Sequence, residues 1–117
     1  MKWTRQESIE LLTKIEQVCP STGCHVALTG GVLYKKGPRK DLDIIFYRIR
    51  QIERIDKDKL FDLLDKKFNI VISSKHGWMC KAICKNTNRG IDIFFPETNS
   101  NDPYPSHMDV VNELSLI

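Results

Sequence analysis

The sequence has 117 residues, of which 41% are hydrophobic and 28% charged, and its net charge is +3. Because domains usually hold about 100–200 residues, we expect one domain over 1–117 with a core that needs no disulfides. No segment approaches the about 18 apolar residues of a membrane span, and no signal-peptide core follows the N-terminus. We therefore expect a cytoplasmic protein without a membrane partner. A nucleic-acid partner is permitted by the small positive charge but not strongly indicated.

The first part of the chain predicts a helix, a strand and a turn. Thr4 and Glu7 have the spacing of a capping box, and the apolar residues that follow recur at helical intervals as far as Pro20. The apolar run His25–Thr29 then predicts a buried strand, which Gly30-Gly31 interrupts.

The remaining segments predict a sheet with helices packed on it. Asp56 is a plausible N-cap for the helix predicted over Lys57–Phe68. The segments with the composition or alternation of strands are Asp41–Tyr47, Asn69–Ser73, Trp78–Lys85 and Gly90–Phe95, the last two forming a hairpin. This order predicts an α/β (α+β) fold with a mixed sheet of about 4–5 strands. A polar tail over 97–117, with a short helix over 106–114, completes the prediction.

Four cysteines raise the question of a zinc site. Cys80 and Cys84 lie in one predicted strand, which would separate them by about 13 Å at about 3.3 Å per residue. One zinc ion cannot bind both thiolates at about 2.3 Å. We therefore predict that Cys19, Cys24, Cys80 and Cys84 are reduced thiols of the core.

Three aspartates lie inside the most apolar predicted strands, where aspartate is rare. Strand alternation puts Asp41 and Asp43 on one face, about 7 Å apart, with the neighbouring apolar residues on the other. Asp92 lies between two isoleucines, and the same strand alternation places it on the face opposite the core. A carboxylate in such surroundings is costly unless it is paired, hydrogen-bonded or bound to metal. Solvated aspartates bridging to lysines are the alternative.

The glycine pair Gly30-Gly31 follows an apolar strand and precedes Asp41 by nine residues. Glycines let backbone N–H groups approach a phosphate, although a plain tight turn would also explain them. The surrounding sequence has neither a Walker A loop nor a dinucleotide fingerprint.

This combination of glycine pair, Asp41-Leu42-Asp43 strand and later Ile91-Asp92-Ile93 strand resembles the DNA polymerase beta-like nucleotidyltransferase superfamily, in a minimal single-domain form. The resemblance covers about 26–95, and the residues after Gly31 leave the branch of the superfamily open. It implies transfer of a nucleoside monophosphate from ATP or another NTP to an acceptor hydroxyl on a protein, an RNA or a small molecule.

The resemblance also implies roles for individual residues. Asp41, Asp43 and Asp92 would be the catalytic residues and would bind Mg²⁺ or Mn²⁺, while Gly30 and Gly31 would hold the β- and γ-phosphates. Magnesium prefers a few carboxylates together with substrate phosphates, which agrees with these roles. Since the superfamily's usual separate substrate-binding domain is not expected in a chain of this length, the acceptor would be held by this core, a second copy in a homodimer or a partner protein.

Two lysines are candidate phosphate ligands. If the predicted hairpin pairs Cys84 with Ile91, both Lys81 and Lys85 become diagonal neighbours of Asp92. Either lysine would then bind triphosphate or simply neutralise the carboxylate. Arg48, with the basic residues after it, predicts a face for RNA or protein, or a solvated charged loop.

Two other functions remain open at this level. The same fold would serve as a non-catalytic nucleotide- or partner-binding module of antitoxin-like or regulatory type, although such a module does not need all three aspartates. A metal-independent RNA-binding domain would be expected to carry more positive charge and would leave Asp92 unexplained.

Overall fold

The computed structural model describes residues 2–96, which form a mixed five-stranded sheet with three α-helices packed on it, an α+β fold as predicted. The helices are α1 (Arg5–Glu16), α2 (Gly30–Tyr34) and α3 (Lys57–Phe68), and a 3-10 turn covers Cys19–Thr22. The strands are β1 (Cys24–Thr29), β2 (Asp41–Arg48), β3 (Ile70–His76), β4 (Met79–Cys84) and β5 (Arg89–Phe94).

Short polar signals fix the helix ends, and the two N-caps predicted from sequence are confirmed. The Thr4 side chain accepts from the Glu7 N–H while the Glu7 carboxylate accepts from the Thr4 N–H, so both halves of the capping box are present. Asp56 accepts from the backbone of Lys59 at the start of α3. Asn69 ends α3 in the left-handed conformation, which asparagine tolerates better than most residues.

The strand order is β1-β2-β5-β4-β3, so the last strand of the described chain lies at the centre of the sheet. Strands β2 and β5 pair in parallel, and every other neighbouring pair is antiparallel. The connection from β2 to β5 includes α3 and the β3–β4 hairpin. This crossover brings two aspartate-bearing strands side by side, although they are distant in sequence.

The two faces of the sheet differ in composition. Side chains that alternate along β2 and β5 enter one buried core with residues from α1 and α3; the core includes Leu12, Ile15, Leu42, Ile44, Phe46, Leu60, Leu64, Ile91, Ile93 and Phe95. Burial of this many aliphatic side chains, at about 25 cal/mol per Å² of apolar area, is the main stabilising contribution to the fold. The residues between them point to the opposite face, which carries all three aspartates singled out above.

The four cysteines are buried free thiols, in agreement with their predicted place in the core. The helix predicted over 106–114 and the polar tail over 97–117 lie outside the described residues. Within residues 2–96, no helix has the length and apolar character needed to cross a membrane.

Candidate functional site

A row of polar side chains crosses the open face of the sheet. The strand registers place Thr29 beside Asp43, Asp43 beside Asp92, and Asp92 beside Lys81. Because β2 and β5 are parallel neighbours, Asp43 and Asp92 lie about 4.8 Å apart across the ladder at their backbones. The alternation that predicted both aspartates on the non-core face is therefore confirmed, and the fold makes them direct neighbours.

Gly30 and Gly90 have no side chains, and the carboxylates of Asp43 and Asp41 occupy the space that such side chains would need. A Cβ built on Gly30 would lie 2.6 Å from Asp43 Cγ and would overlap Asp43 Oδ2, and one built on Gly90 would overlap Asp41 Oδ1. Gly30 also has a φ of +69°, a conformation that side chains disfavour. The first glycine of the pair is thus required by a neighbouring carboxylate as well as by its backbone, a reason that the sequence alone did not reveal.

The electrostatics of the row centre on Asp43. Burial raises the pKa of the Asp43 carboxyl above its ordinary value, and the negative charge of Asp92 raises it further. A hydrogen bond from the Gly31 N–H lowers the pKa and so opposes this shift, while Asp41 adds to the repulsion. Burial and like charge together therefore disfavour the ionised form of Asp43.

A short helix begins at the glycine pair. α2 covers Gly30–Tyr34, and the backbone of Gly31 faces the Asp43 carboxylate at its first turn. Arg39 lies against Gly31, with its Cδ 3.2 Å from the position of an added Cβ. Arg39 Nε is buried and has no hydrogen-bond partner among the described residues, so the glycine turn is flanked by an unsatisfied cationic donor.

The predicted hairpin register is wrong by two residues. Cys84 pairs with Arg89 instead of Ile91, because the loop closes over four residues with Asn88 at a positive φ. This shift sets Lys81 directly opposite Asp92, and Lys81 Nζ lies 3.3 Å from Asp92 Oδ1. The Asp92 side chain is 18% exposed and that of Lys81 is 52% exposed, so the ion pair is reachable from solvent.

Lys85, the second lysine predicted beside Asp92, lies elsewhere. It follows the end of β4, and its Nζ contacts Asp65 Oδ1 on α3 at 3.2 Å. The four-residue loop moves it out of the ladder, so the structure brings Lys81 but not Lys85 to Asp92. The basic segment after β2 is partly used locally, since Arg48 donates to the carbonyls of Ile52 and Glu53.

The donor set is compatible with a divalent cation bound together with phosphate. In residues 2–96, no three side chains of His, Cys, Asp or Glu converge enough to form a complete metal site. Burial, and then the negative charges of Asp92 and Asp41, raise the pKa of the adjacent Asp43 carboxyl. Mg²⁺ typically binds one or two carboxylates and completes its octahedron with water and substrate phosphates. These residues therefore fit that type of site.

An apolar cavity of about 350 Å³ adjoins the carboxylates. Its described lining consists of Thr29, Gly30, Asp43, Ile45, Trp78, Phe94 and Pro96. The rings of Trp78 and Phe94 are stacked, with centroids 5.4 Å apart and an interplanar angle of 28°. The alternation of Phe94 with Ile93 and Phe95 is the signal in the sequence that the Phe94 ring lies on the open face.

Comparison with known proteins adds no assignment, since neither a family model nor a curated protein sequence matches this chain.

Proposed function

We propose that this protein is a metal-dependent nucleotidyltransferase that moves a nucleoside monophosphate from an NTP to an acceptor hydroxyl. The observation that carries the proposal is the direct pairing of Asp43 and Asp92 across the parallel β2–β5 ladder. Two partly buried carboxylates that repel each other are costly without a cation. Their position next to the glycine turn supports a ligand that combines metal and phosphate.

Each residue has a distinct task in this proposal. Asp43 and Asp92 supply carboxylate oxygens to Mg²⁺ or Mn²⁺, and the exposed Asp41 supplies a third group from the same face. The turn at Gly30 and Gly31 admits the triphosphate close to the backbone, beside the cationic Arg39. When bound, the metal neutralises phosphate charge and stabilises the attacking and leaving oxygens.

The transfer itself is an in-line displacement at phosphorus. The acceptor oxygen forms a bond to the α-phosphorus while the bond from the α-phosphorus to the oxygen bridging to the β-phosphate breaks. Pyrophosphate leaves, and the acceptor's hydroxyl proton passes to water. Positioning of the substrate, together with charge neutralisation by the cation that the row of carboxylates would hold, supplies most of the catalysis in this class of reaction.

A second candidate is a nucleotide- or partner-binding module of the same fold without turnover. The observation in its favour is the ion pair between Lys81 and Asp92, which gives the third carboxylate a protein counter-charge. In this case the lysine would neutralise Asp92 and leave Asp43 as the main ligand of a bound cation.

Labelling with nucleotides separates the two candidates. The full-length protein is incubated with α-labelled NTPs, Mg²⁺ and three acceptor classes, namely tRNA, cell-extract proteins and aminoglycosides. We expect transfer of label to one acceptor class, and loss of transfer in Asp41→Asn and Asp43→Asn. Asp62→Asn is the matched control, because Asp62 is an exposed aspartate that pairs with Lys66 on α3.

The outcome identifies the function. Transfer that survives in both Asp41→Asn and Asp43→Asn would contradict the proposed use of the carboxylates. Nucleotide binding that requires Asp43 but yields no transfer with any acceptor would favour the binding module. Neither transfer nor carboxylate-dependent binding would exclude both candidates.

A further inference from the structure

The cavity beside Asp43 lies directly along the strands from the proposed phosphate site. Ile45 follows Asp43 by two residues on β2, and Phe94 follows Asp92 by two residues on β5. Since side chains two apart share a face, both apolar residues lie about 7 Å beyond the carboxylates on the same surface. Asp43 and Gly30 line the cavity as well, so it is continuous with the polar row.

The cavity is built for a flat apolar ligand. Trp78 and Phe94 form a stacked aromatic wall, and Ile45 and Pro96 add aliphatic surface. The carbonyl of Trp78 accepts a hydrogen bond from the N–H of Phe95, which holds the backbone of Trp78 beside the end of β5. The cavity volume of about 350 Å³ falls within the range of about 300–1,000 Å³ that is typical of small-molecule sites.

We propose that this cavity holds the base of the nucleotide by stacking it on Trp78 and Phe94. The inference rests on the proposed function and deepens it by assigning a base site to the sheet itself. Every nucleobase has an aromatic face, and base–aromatic stacking tolerates any base. In a nucleoside triphosphate, the ribose carries the base at one end and the phosphates at the other, which matches an aromatic wall next to a charged row.

The lining also determines selectivity. Within residues 2–96, Thr29 and Asp43 provide the polar side-chain groups of the cavity besides the indole N–H, and both lie at the end nearest the carboxylate row. The side chains of Ile45, Phe94 and Pro96, which complete the described lining with Gly30, are apolar and offer no hydrogen bonds to the edges of a base. The four nucleoside triphosphates should therefore bind with similar affinities, with purines favoured by their larger stacking area.

Binding measurements with and without a base test this inference. Dissociation constants are measured in the presence of Mg²⁺ by calorimetry for inorganic tripolyphosphate, ATP and CTP. The proteins are wild type, Trp78→Leu, Trp78→Phe and Phe94→Leu. Tyr34→Leu is the matched control, because Tyr34 is an aromatic residue on α2 that is 76% exposed and does not line the cavity.

The expected result is a loss confined to ligands that carry a base. Trp78→Leu and Phe94→Leu should bind ATP and CTP about 5- to 150-fold more weakly than wild type, whereas tripolyphosphate binding should be unchanged. Trp78→Phe should retain most of the affinity, and Tyr34→Leu all of it. ATP, but not tripolyphosphate, should also quench the Trp78 fluorescence, and this quenching should disappear in Trp78→Phe.

Failure of this inference is distinguishable from failure of the proposed function. If wild type binds tripolyphosphate and Mg²⁺ through Asp43 but binds ATP no more tightly, the base site is wrong and the phosphate site stands. The same conclusion follows if neither Trp78→Leu nor Phe94→Leu affects ATP binding, or if both lose tripolyphosphate binding equally. If wild type binds neither ligand, the proposed function fails and the base site falls with it.

Discussion

Gly30 and Asp43 show how a single residue choice determines the site. The carboxylate of Asp43 occupies the position that a side chain at Gly30 would need, and the φ of +69° at Gly30 adds a conformational reason for glycine. Gly37 has a similar φ of +83°, but among residues 2–96 no atom beyond its chain neighbours lies within 4 Å of an added Cβ. Substitutions at Gly30 and Gly37 therefore distinguish the cost of backbone strain from the cost of overlap with the Asp43 carboxylate.

We predict that Gly30→Ala destabilises the protein by about 2–4 kcal/mol and Gly37→Ala by about 1 kcal/mol, because only the former adds overlap to strain. Urea denaturation of both variants gives these free energies of unfolding. In the double variant Gly30→Ala/Asp43→Ala, part of the larger loss should be recovered. Equal losses in the two single variants would contradict a role for the Asp43 carboxylate.

The raised pKa of Asp43 predicts a pH dependence in metal-free protein. Because the folded state holds this proton more tightly than the unfolded chain, its ionisation costs stability as the pH rises from the ordinary aspartate pKa, about 3.9, through the folded value. Asp43→Asn should therefore unfold at higher denaturant concentration than wild type at neutral pH. The difference should shrink below the ordinary pKa, and a constant difference at all pH values would contradict this account.

At the scale of elements, Glu7 links the start of α1 to the start of β5. Its carboxylate accepts from the Thr4 N–H and also from Arg89 Nη1 at 2.6 Å. The Arg89 guanidinium is 7% exposed and lies 3.7 Å from the centre of the Trp3 ring. The hydrogen bond from Arg89 lowers the pKa of Glu7, so this contact is retained down to below the usual glutamate range.

We predict that Glu7→Ala costs more stability than Thr4→Ala. Removing Thr4 loses one helix cap, about 1 kcal/mol, whereas removing Glu7 also leaves the buried Arg89 without its counter-charge and should cost about 2–4 kcal/mol. Thermal and urea unfolding of both variants measure the difference. Equal costs would show that Arg89 gains nothing from Glu7.

Most elements were predictable from sequence because their signals are local. The capping box at Thr4, the cap at Asp56 and the alternation around Asp92 each depend on residues a few positions apart. The hairpin register was predicted wrongly because one left-handed residue, Asn88, shortened the loop. The burial of Arg89 over Trp3 depends on a contact between distant parts of the chain, for which a local pattern carries no signal.

At the scale of the whole molecule, a ligand that binds only the folded site should stabilise the entire domain. With Mg²⁺ and ATP at about 100 times the dissociation constant, linkage predicts about 2.7 kcal/mol of added stability. We expect the thermal midpoint of wild type to rise and that of Asp43→Asn to stay unchanged. Scanning calorimetry with Mg²⁺ alone and with both ligands provides the comparison, and an equal rise in the variant would place the binding elsewhere.

The rate at which a reagent labels the buried thiols reports how often the core of the folded protein opens. All four cysteines are buried, and burial raises the pKa of the Cys80 thiol, which lowers the fraction present as reactive thiolate. We predict that an aromatic disulfide reagent labels the native protein slowly, over the time scale of unfolding, and labels four thiols at once in denaturant. Rapid labelling of native protein would show that the core opens locally.

The central position of β5 has a consequence for the order in which the molecule assembles. Strands β3, β4 and β5 are joined by short turns and can pair early, but β5 must then dock beside β2, to which the 40 residues 49–88 connect it. That docking step brings the carboxylates of Asp43 and Asp92 together, so their mutual repulsion opposes it. Divalent cations should therefore accelerate the slowest phase of refolding, because the ligand-binding site and the last strand pairing form in the same event.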